Sequence, residues 1–311
     1  MKTLICGSIA YDNIMVFQGH FKDHILPHQI HILNVSFLVP ELRREWGGCA
    51  ANIAYNMKLL GADPLVMATV GDDAGAYLDR LATLDIDCRH VRHIPGTLTA
   101  QAFITTDFDS NQITAFHPGA MQFSHENEIT PECGAQLAII GPDGREGMLR
   151  HARDCHASGI PFVFDPGQAM PLFSAADLLE FMQLADYAVL NDYEAQLLSE
   201  RTGHSLESLA EMVRALVVTR GGEGSWVLAG GIRHDIPCVP AREILDPTGC
   251  GDAYRAGLLV GIQNAWDWSK TGRLASLLGA IKIARRGCQN HTPTRADIAR
   301  QYEEVFGETL W

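Results

Sequence analysis

The run Asp246-Pro247-Thr248-Gly249-Cys250-Gly251-Asp252 stands directly before an amphipathic stretch, Ala253 to Gly261, so that a glycine-rich turn feeds a helix. Gly249 and Gly251 let the backbone turn tightly and approach a ligand. The first turn of the helix presents amide N–H groups without intrahelical partners at the positive end of its dipole. That junction suits an anion, and a developing phosphate charge would be stabilised there. Asp252 is the unexpected member, because a carboxylate repels a phosphate unless it has a task such as accepting the proton of an attacking hydroxyl. The plainer alternative is a helix cap beside an ordinary loop.

Other clusters have the same character. Gly47-Gly48-Cys49-Ala50-Ala51-Asn52 precedes a helical pattern: two adjacent glycines suit a hinge, and the Asn52 amide could grip a hydroxyl or lie idle on a helix surface. Asp12, after the first apolar run, can accept from two vicinal hydroxyls, or it is a turn residue. Asn191-Asp192-Tyr193-Glu194 closes one strand pattern and opens a helix, where Asn191 and Glu194 also read as a cap. Thr219-Arg220-Gly221-Gly222-Glu223-Gly224 offers a hydroxyl, close backbone approach and an arginine for phosphate oxygens. Asp165-Pro166-Gly167 could position metal or phosphate, or simply turn the chain. Neither a G-x-G-x-x-G run after the first strand nor a G-x-x-x-x-G-K-[ST] loop is present, so a phosphate cradle must be of another kind. His20, His24, His28 and His31 have metal-ligand spacing only if helical, and Pro27 argues against a helix there.

These residues need a large scaffold. The chain has 311 residues, 47% of them hydrophobic, enough for one α/β domain with a buried core. A net charge of −13 disfavours nucleic acid or an anionic membrane as the main partner. Eight cysteines without a C-x-x-C pair fit reduced thiols in a cytoplasm, and no apolar run is long enough to span a membrane. Apolar runs at Thr3–Cys6, Leu65–Val70, Leu137–Ile140, Pro161–Phe164, Tyr187–Leu190 and Leu216–Thr219 alternate with helical patterns at 50–60, 193–200, 206–215, 252–264, 271–286 and 295–305. The alternation predicts a mostly parallel sheet with helices on both faces, and candidate residues at the strands' carboxyl ends. Two stretches, Met15 to Trp46 and Thr97 to Ala120, read instead as strands joined by turns such as Asp109-Ser110-Asn111, a small projecting sheet. Phe17, Phe37, Phe103 and Phe116 would fill its core or stack on a base.

The Asp246 to Asp252 run resembles the D-T-x-G-A-G-D signature of the ribokinase-like (PfkB) sugar and nucleoside kinases, departing at Pro247 and Cys250. Five motif elements occur in the family's order along the whole chain, although Gly167 stands where the family has an asparagine. The resemblance implies a three-layer α/β fold over residues 1–311, with a mostly parallel central sheet flanked by helices and a small β-sheet lid from about residues 13–46 and 97–120. It implies transfer of the ATP γ-phosphoryl to a primary hydroxyl, with Asp252 as base and the Gly249, Cys250, Gly251 and Asp252 amides stabilising charge. Asp12, Gly47, Gly48, Asn52 and Phe116 would hold the acceptor. ATP would meet Asn191, Thr219, Arg220, Gly221, Gly224, Gly249 and Gly251, with adenine near Gly279, Lys282, Gln289 and Asn290. Glu194 would organise Mg²⁺ through water, and Asp246 and Thr248 would begin a K⁺ site.

The stretches 111–120 and 246–257 look most like prokaryotic nucleoside kinases of the adenosine kinase type, which implies a purine nucleoside acceptor. Exposed lid strands would favour a homodimer through the lid. A ribose or fructose kinase, a catalytically silent nucleoside or nucleotide sensor, and a nicotinamide-dependent oxidoreductase are the alternatives.

Overall fold

The computed structural model describes residues 1–25, 34–109 and 111–311. His28 and His31 therefore lie outside the described residues, as does Ser110 of the expected turn.

The elements follow in chain order. The first half holds β1 (Lys2–Cys6), β2 (Ala10–Val16), β3 (Glu41–Gly47), α1 (Cys49–Leu59), β4 (Asp63–Val70), α2 (Gly75–Thr83), β5 (Asp87–His93), β6 (Ala100–Thr106), β7 (Gln112–His117), β8 (Leu137–Ile140) and α3 (Arg145–Ala157). The second half holds β9 (Phe162–Phe164), α4 (Ala175–Leu184), β10 (Tyr187–Asn191), α5 (Asp192–Thr202), α6 (Leu206–Ala210), β11 (Ala215–Thr219), β12 (Ser225–Ala229), β13 (Ile232–Ile236), α7 (Cys250–Gln263), α8 (Trp268–Ile283) and α9 (Arg295–Phe306).

Among the described residues the large sheet runs β13-β12-β11-β10-β9-β8-β1-β4-β5, with every neighbouring pair from β5 to β11 parallel and the β12–β13 hairpin antiparallel. Its strands bury both faces, which is why they read as unbroken apolar runs. Ile5, Val66 and Ile139 face one core with residues of α1, α7, α8 and α9; Leu4, Met67 and Ile140 face the other with α3, α4 and α5. Because the strands are parallel, Cys6, Ile140, Phe164, Asn191 and Thr219 end at one edge. The chain winds one way from β1 to β4 and the other from β1 to β8, so this edge includes a switch point where such folds bind ligands.

The second sheet has the order β3-β2-β6-β7. It starts earlier than expected: β2 opens at Ala10, so Asp12 lies within a strand of the small sheet rather than in a turn after β1. A further difference is the helix expected to continue to Ala215. It stops at Ala210, because Ala215 pairs with Tyr187 and the Arg214 N–H bonds to the Asp186 carbonyl, so sheet register overrides the helical pattern. All eight cysteines are free, and among the described residues no helix is long and apolar enough to cross a membrane.

α7 and α8 meet closely, and Gly257 permits it: a Cβ there would stand 2.6 Å from the Ala275 Cα, on backbone that cannot step aside. Gly257→Ala should therefore destabilise the fold by about 1–3 kcal/mol, as overpacked sites do. A urea melt would read this as a lower midpoint at an unchanged slope, and an unmoved midpoint would refute the tight-packing argument.

Candidate active site

Gly249 takes a left-handed φ of 78° and caps α7, a conformation that side chains resist. Cys250 turns its N–H back onto the Pro247 carbonyl at 3.2 Å. Among the described residues, the N–H groups of Gly249, Gly251 and Asp252 have no acceptor. The loop thus offers three of the four expected amides to a ligand, at the positive end of a 14-residue helix.

Asp252 projects from the first turn of that helix. Withdrawal from water pushes its carboxyl up to about 7; the Asn52 amide and Arg255 pull it down, while the charges of Asp165 and Asp12 push it further up. An aspartate poised near neutrality can take a proton and give it up again.

A hydrogen-bonded chain runs from Asp252 to the small sheet. Asn52 Nδ2 donates to Asp252 Oδ2 at 2.8 Å, and Gln289 Nε2 donates to Asn52 Oδ1 at 3.0 Å and to the Tyr77 hydroxyl at 2.8 Å. Tyr77 in turn donates to the Gly47 carbonyl at 2.6 Å. Arg80 holds Gln289 through its backbone oxygen at 2.9 Å and packs 5.5 Å from the Trp46 ring. Gly47 and Gly48 close β3 and open α1, so the chain ends where the small sheet joins the large domain.

Asp12 sits on the small sheet in one cross-strand row: it pairs with Glu45 and Ala102, and Ala102 pairs with Phe116. Paired residues share a face, so Asp12 and Phe116 line the same side. Burial, with the charges of Asp246 and Glu45, raises the Asp12 carboxyl to about 6. Phe116 is 50% exposed. Phe103 stands on the opposite face, pairing with Asn13, and is also exposed, so neither phenylalanine fills a core. Phe17 and Phe37 do pack together, at 4.8 Å, with Phe21 and His24. His24 thus belongs to an aromatic cluster.

His20 and two aspartates do approach one another, which bears on the histidine metal idea. His20 Nδ1 lies 3.0 Å from Asp109 but out of hydrogen-bond alignment, and Asp109 is paired with Lys22. Asp107 is occupied by the backbone N–H groups of Phe21, Asp109 and Asn111. The acids serve the turn.

On the large-sheet side, Asn191 and Glu194 form a reciprocal capping box on α5. Glu194 accepts from the Asn191 backbone and side-chain N–H groups at 2.8 Å each, and Asn191 Oδ1 accepts from the Glu194 N–H at 2.8 Å. Burial, then the Asp165 charge, raises the Glu194 carboxyl, opposed by Arg255. Arg255 makes a buried bidentate pair with Asp165 at 2.6 and 2.7 Å. Burial alone would lower the Arg255 pKa, but Asp165 outweighs it and raises it. Asp165, Glu194 and Asp252 against one guanidinium leave a negative excess, which fits a divalent cation brought in with the phosphates.

Thr219 pairs with Asn191 across β11 and β10, which puts the Thr219–Gly224 turn beside the capping box. Arg220 folds onto its own turn, donating to the Glu223 carbonyl at 3.1 Å, with Gly221 and Gly224 on either side of the bend. Gly279 faces the Cys250 carbonyl, 3.8 Å from where its Cβ would be. Asn290 reaches the small sheet, donating to Glu45 at 3.0 Å.

Of the residues expected near adenine, Lys282 is fully buried and its ammonium donates to the Asp246 carbonyl at 2.8 Å, and Gln289 is part of the Asp252 chain. The potassium reading also meets an obstacle: Asp246 accepts from the Thr248 and Gly287 N–H groups at 2.9 Å each, and the Lys282 ammonium already stands beside it. Burial tends to raise the Asp246 carboxyl, but these N–H groups and Lys282 together lower it. The residues present do not fit a resident potassium ion.

Arg255, Tyr77 and Arg80 were missed in the sequence. For Arg255 a signal existed: one arginine in the run Ala253-Tyr254-Arg255-Ala256-Gly257-Leu258 must find an anion if that helix is buried. A cavity of about 660 Å³ between α8 and α9 contains none of the residues proposed for catalysis.

Residues 12–295 match the pfkB family of carbohydrate kinases. A nucleoside kinase from Methanocaldococcus jannaschii is 32% identical over 274 residues, 87% of this chain and 90% of that one. The Burkholderia thailandensis nucleoside kinase in complex with inosine is 52% identical, covers 99% of both chains and superposes with a TM-score of 0.91. The same enzyme in complex with ADP-inosine is 53% identical over 99% of this chain and 97% of that one, with a TM-score of 0.89. The ribokinase-like architecture, the anion loop and these likenesses agree: the chain belongs to the pfkB carbohydrate kinase family and is an ATP-dependent kinase.

Proposed function

We propose that the protein transfers the γ-phosphoryl group of ATP to the 5′-hydroxyl of a purine nucleoside, with adenosine, inosine and guanosine as the candidate acceptors. The observation that carries this reading is the Asp252 carboxyl, raised to about 7 at the mouth of an amide-lined helix terminus and tied through Asn52 to the small sheet. The likeness to a nucleoside kinase solved with inosine supports the acceptor class.

Asp252 takes the hydroxyl proton as the new bond to phosphorus forms, and the bond to the ADP oxygen breaks. The free N–H groups of Gly249, Gly251 and Asp252 stabilise the charge on the transferring group. Asp12 binds the ribose diol, and Phe116, in the same row, stacks on the base. Thr219, Arg220, Gly221 and Gly224 line the nucleotide side, where Arg220 exchanges its contact with Glu223 for a phosphate. Glu194 would hold Mg²⁺ through water, and the ion would neutralise phosphate charge there. The small sheet acts as a lid hinged at Gly47-Gly48 that excludes water. Its outer face exposes Leu42, Phe103 and Ile113 in the Asn13 row and the rows beyond it, which supports a homodimer through the lid.

ADP release from Mg-ATP with adenosine, inosine, guanosine, cytidine, ribose and fructose tests the acceptor. Turnover confined to purine nucleosides is expected, and preferential turnover of free sugars would overturn the reading. Asp252→Asn should lower kcat by about two orders of magnitude or more while leaving the nucleoside Kd largely unchanged. Near-normal turnover would remove Asp252 as the base. Since the base must be ionised, kcat/KM should rise with pH to a plateau above about 7 and fall roughly tenfold per unit below it. A profile flat from about pH 6 to 8, roughly a unit either side of the transition, would speak against that ionisation. Asp12→Ala should raise the acceptor KM far more than the ATP KM, and equal effects on both would take Asp12 out of the acceptor site.

A further inference from the structure

Lys282 is a cation with no exposed surface, near the end of α8. A buried ammonium is tolerated only when its charge and its donors are met. Here they are met by backbone: Nζ donates to the Asp246 carbonyl at 2.8 Å and to the Arg285 carbonyl at 3.3 Å, and lies 4.0 Å from Asp246 Oδ1. Two carbonyls and a carboxylate around one compact charge form an oxygen shell of the kind that hard cations take. α8 ends there, at the negative end of its dipole, and its Ile283 carbonyl receives the Leu245 and Asp246 N–H groups, which ties this segment to the helix.

What the ammonium holds is the root of the anion loop. Asp246 is fixed at its carbonyl by Lys282 and at its N–H by Ile283, and its carboxylate then orders Thr248 and Gly287. Gly249 follows directly. A lysine that bound phosphate itself would need its ammonium at the cleft surface, and this one is fully buried on the Asp246 carbonyl.

We propose that Lys282 is a built-in monovalent cation: its ammonium fastens the Asp246 segment, a task a free potassium ion could otherwise perform, so that turnover needs no added potassium. Lys282 is a positioning residue, and the proposal rests on reading Gly249 to Asp252 as the phosphate cradle. No covalent step is involved.

The test compares rates for the wild-type enzyme with Mg-ATP and inosine in the chlorides of potassium, ammonium, sodium and choline at equal ionic strength. Rates equal within about twofold are expected, and potassium activation beyond about threefold over choline would overturn the proposal. Lys282→Ala opens a space that a small cation can enter. Its kcat should fall about tenfold or more in choline and recover in potassium or ammonium, which are close in size to the missing group. Lys282→Met fills the space without charge and should stay low in every salt. If Lys282→Ala keeps the wild-type melting temperature and no cation restores it, the cation role is wrong. If the variant is too unstable to assay, potassium should raise its melting temperature above that in choline; equal values would count against the proposal. An active Asp252→Asn enzyme would unseat the base assignment without altering the salt comparison, so the two failures are distinguishable.

Discussion

The constraint on which the structure turns is electrostatic. A kinase must receive a polyphosphate, yet Asp12 of the small sheet, Asp165 after β9, Glu194 in the first turn of α5, Asp246 in the segment before α7 and Asp252 in its first turn lie close enough to act on one another's charge. Unrelieved, that many carboxylates would raise one another's pKa values and repel the ligand. The fold answers with two buried cations on successive helices. Arg255 neutralises Asp165 from inside α7, and Lys282 stands against Asp246 from the end of α8. Among the described residues Asp252 and Asp12 have no salt-bridge partner, and burial raises both. Asp246, which shapes a loop, is instead kept ionised by its N–H donors and Lys282.

The same economy shows where helices begin. At α5 the capping box uses Glu194 to satisfy backbone and side-chain donors of Asn191, so the residue with a proposed metal role is already held by local structure. At α7 the helix start is left open: glycine caps it, and the amides of Gly251 and Asp252 have no acceptor among the described residues. One terminus is sealed and its neighbour is not, and the difference separates a scaffold helix from one able to bind an anion.

Much of this was legible in the residues. The parallel strands have long apolar runs, and Leu137–Ile140 ends where expected because four apolar residues, three of them branched, between turn signals leave little freedom. Helices α2, α3 and α4 were not anticipated. In α3 the apolar positions Met148, Leu149, Ala152 and Cys155 sit at helical spacing among three arginines and two histidines, which hides the stripe. Strands β5 and β13 are edge strands with charged residues such as Arg89, Arg92, Arg233 and Asp235, so they lack the buried-strand signature, and the short β12 between β13 and β11 was not expected either. In the site, motif residues were visible because their chemistry is local. Tyr77 and Arg80 were not, nor were the partners of Gln289 and Lys282, because each acts on a residue distant in the chain: Gln289 meets Asn52 across 237 positions. Local spacing carries no information about such a meeting.

The two departures from the family motif show how the loop tolerates change. Pro247 cannot donate a backbone hydrogen bond. The loop does not need one from that position, because Asp246 donates to Ile283 before it and Thr248 to the Asp246 carboxylate after it. The Pro247 carbonyl still accepts from Cys250, so the turn keeps its closing bond. Cys250 spends its N–H on that bond and directs its thiol toward the Asp246 carbonyl, 3.9 Å away. Burial raises that thiol to about 11, with Lys282 working against it, which leaves a neutral, weakly nucleophilic group beside the phosphate cradle. Both substitutions therefore fall where the loop's geometry is already determined by neighbours, and neither removes the amides of Gly249, Gly251 and Asp252 on which the anion site depends.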